Sequence, residues 1–185
     1  ALWQQLLRLE KGDMLVLSGS MPASLPQQRL LSLLKELGER GVELCLDTSG
    51  ELLRQALSCH PFLIKPNHVD LGELLGRELT QEEDIRECAA ALQKLGARNV
   101  LVSMAGEGSL LLEETGACHR MKAPKGRVKN SVGAGDSMLA GFLAGWLQTG
   151  DAGYAHRLGT ASGSATAFED GLAERKAIDD LLMQL

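Results

Sequence analysis

No Cys-x-x-Cys pair occurs in this 185-residue sequence: Cys45, Cys59, Cys88 and Cys118 stand apart, and His60, His68, His119 and His156 form no ligand-spaced cluster with them. That spacing argues against a zinc module and a disulfide framework, and it predicts reduced thiols packed as small hydrophobes. No window is long and apolar enough to span a bilayer, and no secretory signal opens the sequence, so the expectation is a cytoplasmic protein without a membrane partner. A basic stripe is missing as well. Nineteen Lys and Arg against 24 Asp and Glu leave a net charge of −5, which argues against nucleic acid and means that a pocket for an anion must concentrate positive charge locally. The Walker A pattern is absent. A Rossmann fingerprint would need a third glycine at Met138 and a place after the first strand of a βαβ unit, and neither condition holds.

What is present is a globular composition, 44% hydrophobic, at a length that fits one domain over residues 1–185. Apolar periodicity alternates between helix and strand, the pattern of an α/β protein with a mostly parallel sheet flanked by helices. Helices are expected over Leu2 to Leu9, Leu25 to Glu39, Leu52 to Leu57, Val69 to Leu75, Glu82 to Leu95, Ser137 to Leu147, Ala152 to Ala167 and Arg175 to Leu182. Strands are expected over Met14 to Leu17, Val42 to Leu46, Phe62 to Ile64 and Asn99 to Met104, with a β-ribbon from Ser109 to Leu112 returning near Cys118 to Met121. The segment Ala152 to Ala167 is rich in small residues (Gly159, Ala161, Ser162, Gly163, Ala165), a composition that permits close packing of its backbone against a neighbour or a ligand.

The most informative stretch is Asn130-Ser131-Val132-Gly133-Ala134-Gly135-Asp136, at the mouth of an apolar helical segment. The first NH groups of a helix lack intrahelical partners and carry the positive end of the dipole, so a phosphoryl group can bind there. Gly133 and Gly135 put no side chain in its way. Asp136 repels a phosphate, so its value in such a turn lies in accepting a proton from an attacking hydroxyl. The competing reading makes Asp136 an ordinary N-cap in a common strand-to-helix turn.

The same heptapeptide resembles the signature of the ribokinase-like, PfkB-type carbohydrate kinases, Asp/Asn, Thr/Ser, any residue, then Gly-Ala-Gly-Asp, and matches it in full. Three further segments agree in order and approximate spacing. Ser18-Gly19-Ser20-Met21-Pro22 is similar to the family's segment beside the sugar phosphate, Lys65-Pro66-Asn67 to its Lys-Pro-Asn segment, and Ser103 to Gly108 to its nucleotide loop. The runs Pro124 to Gly133 and Ala161 to Phe168 look most like 1-phosphofructokinases, with tagatose-6-phosphate kinases close behind. The resemblance implies a three-layer ribokinase-like fold and MgATP-dependent phosphorylation of a sugar phosphate, with fructose 1-phosphate foremost. By the same resemblance Asp136 is the catalytic base, and Gly133, Ala134 and Gly135 form the anion hole. ATP falls to Lys65, Asn67, Ser103, Gly106, Gly108 and Ser131, the sugar phosphate to Ser18, Gly19 and Ser20, and Mg2+, through water, to Asn67 and Asp70. Carbonyls of the turn from Glu169 to Ala173 fall near a monovalent cation such as K+.

Two motifs depart from the family pattern. Asp70 replaces a longer glutamate, keeping the charge and shortening the reach; its other reading is a helix-start carboxylate favoured by the dipole. Ala105 takes the place of the nucleotide loop's first glycine and Gly106 follows it, so the turn is open to displacement by one residue; apart from the resemblance, Ser103 to Gly108 reads as a hairpin turn. Lys65 is either a solvated lysine or, at the carboxyl end of a short apolar strand, a partner for a nucleotide phosphate. The resemblance covers only the carboxyl part of the family pattern, so the amino-terminal strands and lid are expected to be missing. The sequence is then the ATP-binding portion of a kinase, with self-association as a homodimer or pairing with the missing piece as the expected partnership. A nucleotide-binding fragment without turnover is the alternative activity; an α/β oxidoreductase is disfavoured by the absent dinucleotide fingerprint.

Overall fold

The computed structural model describes residues 2–19 and 25–185. They form two compact units, Ala1–Val100 and Leu101–Leu185, and the hydrogen-bonded strands follow one another in chain order in a six-stranded, mostly parallel sheet.

The first unit alternates α1 (Leu2–Leu6), β1 (Met14–Ser18), α2 (Gln27–Glu39), β2 (Glu43–Asp47), α3 (Gly50–Ala56), a 3-10 turn at Leu57–Cys59, β3 (Leu63–Ile64), α4 (His68–Leu75), α5 (Glu82–Lys94) and the first two residues of β4 (Asn99–Ser103). The pairs β1–β2, β2–β3 and β3–β4 are all parallel. Parallel strands covered by helices need apolar residues on both faces, and Leu44, Cys45, Leu46, Leu63 and Ile64 are all buried. Helix α2 buries Leu30, Leu33, Leu34 and Leu37, and α5 buries Ile85, Cys88, Ala89 and Leu92, each a stripe at helical spacing. Three of the four free thiols, Cys45, Cys59 and Cys88, are packed as the composition predicts, whereas Cys118 is exposed. Burial pushes the Cys45 thiol up to about 12, with Glu43 adding to the effect.

The second unit contains a 3-10 turn at Ala105–Glu107, β5 (Ser109–Leu112), β6 (Cys118–Met121), α6 (Ala134–Thr149), α7 (Ala152–Phe168) and α8 (Arg175–Leu182). The β5–β6 pair is antiparallel, Ser109 opposite Met121 and Leu112 opposite Cys118, the expected ribbon. Glycines on both helices bring α6 and α7 together. A Cβ on Gly141 would strike Ser162, one on Gly145 would lie 2.8 Å from Ala155 Cα, and one on Gly159 would lie 2.8 Å from the Met138 carbonyl. The small-residue stripe of α7 is therefore a packing surface.

Beneath α7 lies a polar cluster with no exposed surface. Ser109 Oγ sits 2.7 Å from both His156 Nε2 and Thr160 Oγ1, and Thr160 Oγ1 donates to the His156 carbonyl at 2.9 Å. Burial, followed by the electrostatic influence of His119 and Arg120, lowers the His156 pKa from 6.5 to about 4. The folded state thus favours the neutral ring. Its contribution to stability is complete above pH 6.5, declines as pH falls below that value, and is lost once pH passes below about 4. Unfolding by urea at pH 7 and pH 5 is expected to show a loss on the order of 2 kcal/mol from this group, and His156→Gln is expected to flatten that slope. An unchanged slope in the variant would remove His156 as the cause.

Candidate active site

In the first unit the expected residues converge on the carboxyl ends of the parallel strands, the edge where open α/β sheets bind ligands. Ser18 ends β1 and pairs in register with Asp47, which ends β2. Gly19 has φ +90° and donates its NH to the Asp47 carbonyl at 3.0 Å. The β2–β3 register runs Cys45 to Leu63 and Leu46 to Ile64, so its continuation sets Asp47 beside Lys65. Ser20, Met21 and Pro22 lie outside the described residues.

Lys65 is not a surface lysine. Its side chain is 6% exposed, and Nζ lies 3.1 Å from Asp47 Oδ1. Asp47 was not singled out by the sequence reading, and the only signal for it was its place at the end of a strand neighbouring Lys65. Asn67 caps α4 by accepting the Asp70 NH at 2.8 Å, while its amide Nδ2 donates to Asp70 Oδ2 at 2.7 Å. Asp70 therefore does serve as a helix-start carboxylate. One amide and one carboxylate fit a role of hydrogen bonding to metal-bound water and not a cage: among the described residues no group of three or more His, Cys, Asp or Glu is placed to hold a metal.

In the second unit, Gly133 is the N-cap of α6 in the left-handed conformation, φ +80°. The helix starts at Ala134, three residues before the Ser137 expected from apolar periodicity. Gly-Ala-Gly-Asp carries no apolar repeat, so its inclusion in the helix was invisible to that signal. Asp136 is consequently the third helical residue, exposed and in the first turn, and not the N-cap. The NH of Ala134 is turned back to the Ser131 carbonyl at 3.2 Å, and Asn130 Oδ1 accepts the Val132 NH at 3.0 Å, which closes the turn.

This turn is fastened to the far end of α7. Both Lys129 and Asn130 donate their NH groups to the Ala167 carbonyl, at 2.9 and 3.2 Å. Asn130 Nδ2 reaches the Asp170 carbonyl at 3.2 Å, and Lys129 Nζ lies 3.2 Å from Glu169 Oε2. Gly126 packs against the Phe168 ring, where any Cβ would collide. Thr166 links two more segments, donating to Ser137 Oγ at 2.8 Å and accepting the Ala173 NH at 3.2 Å. The Glu169 to Ala173 turn borders a cavity of about 510 Å³, and one of its carbonyls, that of Asp170, is already engaged by Asn130. The sequence does not show the side-chain fastenings of Lys129 and Asn130, which join residues 40 apart.

The loop after β4 carries its positive φ angles on Ala105 and Gly108. Ala105 takes a left-handed φ of +48°, the conformation for which a glycine would be used, and Gly106 does not adopt positive φ. Gly108 has φ +96°, and a Cβ there would collide with the Met121 carbonyl. An L-residue in this region costs roughly 1–2 kcal/mol. Ala105→Gly is expected to raise stability by up to about 1 kcal/mol, the remainder being offset by the entropy of the unfolded glycine. A urea midpoint that falls in the variant would contradict the strain.

The chain as a whole is similar to known proteins. The chain is 42% identical over 185 residues to 1-phosphofructokinase of Bacillus subtilis, an alignment covering all of the chain and 61% of that protein. It is 34% identical over 174 residues to D-tagatose-1-phosphate kinase of Klebsiella oxytoca, covering 94% of the chain and 57% of that protein. The crystal structure of phosphofructokinase-2 from Escherichia coli in complex with substrates and products superimposes with a TM-score of 0.93 at 32% identity, covering 100% of this chain and 61% of that one. The chain thus spans about three-fifths of the length of the relatives it matches. The family described as pfkB family carbohydrate kinase matches residues 1–177, and the chain belongs to that family.

Proposed function

We propose that the whole protein transfers the γ-phosphoryl group of ATP to a sugar phosphate, most simply fructose 1-phosphate to give fructose 1,6-bisphosphate. The observation that carries this reading is the position of Asp136 in the first turn of α6, directly after a left-handed Gly133. One turn of backbone then presents both NH donors and a carboxylate. The turn's NH groups other than that of Ala134, which is held by the Ser131 carbonyl, stabilise charge on the transferring group, and the Asp136 carboxylate accepts the proton of the attacking sugar hydroxyl. A carboxylate is a weak base for an alcohol, but a loose transition state requires proton removal only late, so positioning matters more than basicity.

Lys65 serves a phosphate of the nucleotide, and Ser103, Gly106, Gly108 and Ser131 belong to its binding segments. Ser18 and Gly19 serve the sugar phosphate. Asn67 and Asp70 would hold Mg2+ through its bound water, and the chemistry the ion would supply is neutralisation of phosphate charge. A monovalent cation at the Glu169 to Ala173 carbonyls belongs to the same reading. The 42% identity to a 1-phosphofructokinase supports fructose 1-phosphate, and the 34% identity to a D-tagatose-1-phosphate kinase supports a tagatose phosphate as the second choice.

The test is a coupled ADP-release assay with MgATP on this chain and on an amino-terminally extended form, offering fructose 1-phosphate, tagatose 1-phosphate, tagatose 6-phosphate and fructose 6-phosphate. Turnover with a preference for one sugar supports the kinase. ATP binding without turnover by either form leaves a nucleotide-binding protein in its place.

A further inference from the structure

We infer that Asp47 is a positioning residue for Lys65, fixing its ammonium at the sheet edge where it meets a phosphate of the nucleotide; this rests on the proposed use of ATP. The ammonium lies in a place that is costly for an isolated charge. Lys65 is 6% exposed, and a buried cation is tolerated only with a counter-charge in good geometry. Asp47 supplies that charge at 3.1 Å, itself only 19% exposed.

Both groups stand on strand ends and not on loops. Asp47 is the last residue of β2, and its carbonyl accepts the Gly19 NH at 3.0 Å. The Lys65 NH is held by the Leu46 carbonyl at 3.0 Å, and Pro66 restricts Lys65 to an extended backbone. The long, flexible lysine stem is thereby confined to one direction, while two of its three ammonium protons are left over from the Asp47 contact. Preorganisation of this kind lowers the entropy lost when a phosphate arrives. A carboxylate that merely neutralised Lys65 would act in the opposite sense, and its removal would tighten ATP binding.

The experiment is equilibrium titration of the chain with ATP and, separately, with adenosine, for the wild type, Asp47→Asn, Asp47→Glu, Lys65→Met and the Asp47→Asn/Lys65→Met double variant. Asp47→Asn and Lys65→Met are each expected to raise the Kd for ATP by about tenfold, the loss of roughly one charge-assisted contact. The double variant is expected to be no worse than Lys65→Met alone. Affinity for adenosine is expected to be unchanged throughout, and Asp47→Glu to recover part of the ATP affinity. ATP binding that is undiminished or tighter in Asp47→Asn overturns the role. So does an equal loss for ATP and adenosine, or losses that add in the double variant. A wild type that binds no ATP overturns the proposed function itself, and the positioning role falls with it.

Discussion

Replacing Asp136 with Asn is expected to lower turnover by about 10²- to 10⁴-fold while leaving the Kd for ATP within about twofold, the range set by loss of a positioned general base. The asymmetry follows from the place of the residue. Asp136 is the third residue of α6, in the same first turn as the NH groups proposed to receive the phosphoryl group. An amide of the same shape preserves the turn, its glycine conformations and the NH donors, but cannot accept the hydroxyl proton. Two smaller effects oppose each other. Removing a negative charge from the first turn costs about 0.3–1 kcal/mol of favourable dipole interaction, whereas removing its repulsion favours the incoming phosphates. Neither approaches the several kcal/mol represented by 10³ in rate. The measurement is kcat in the coupled assay together with ATP affinity by direct titration. Equal losses in both would mean that Asp136 holds the nucleotide or the fold, and the base assignment would fail. A loss confined to the KM for the sugar would reassign the carboxylate to substrate binding.

The fold was legible where burial is periodic. Leu30, Leu33, Leu34 and Leu37 announce α2, and the β5–β6 ribbon and α8 have the boundaries read from pattern alone. The errors at element ends share one cause. Strand β2 runs one residue later than its apolar run, Glu43–Asp47 against Val42 to Leu46, because parallel pairing with Met14–Ser18 fixes its limits and hydrophobicity does not. Helix α3 starts at Gly50, ahead of its first leucine, and α6 starts in Gly-Ala-Gly-Asp, because a helix's first turn is set by backbone geometry and need not contain an apolar residue. At the site, motif residues were legible one by one, but their partners were not. Nothing near Lys65 in sequence points to Asp47; the pair exists because two strands lie in register. Nothing near Asn130 points to Ala167 or Asp170. Ala105 was legible only as an oddity, since a sequence does not show which residue carries the positive φ.

Gly163→Leu is expected to destabilise the second unit by about 3 kcal/mol or more, the upper range for overpacking a close contact. A Cβ at Gly163 would lie 2.9 Å from the Ala134 carbonyl oxygen, 3.1 Å from Met138 Cβ and 3.4 Å from Met138 Cε. The methionine tip can swing aside, but the carbonyl belongs to the backbone of α6 and moves only with the helix. Gly159 offers no slack, because a Cβ there would already lie 2.8 Å from the Met138 carbonyl. Separation of α6 and α7 is therefore the available response, and it loses dispersion contacts along the whole interface. The same movement shifts Ala134, the first helical residue after Gly133 and a member of the proposed anion hole, so the substitution is expected to weaken ATP binding as well as stability without removing any proposed ligand group. Ala144→Leu is the control: Ala144 is exposed on α6, and its enlargement is expected to change stability by less than about 0.5 kcal/mol. Urea unfolding of the two variants separates the outcomes. If Gly163→Leu unfolds at the wild-type midpoint, the close approach of the helices contributes nothing that a larger side chain removes. If it unfolds early yet binds ATP as the wild type does, the turn at Gly133 holds its geometry through the Lys129 and Asn130 fastenings alone.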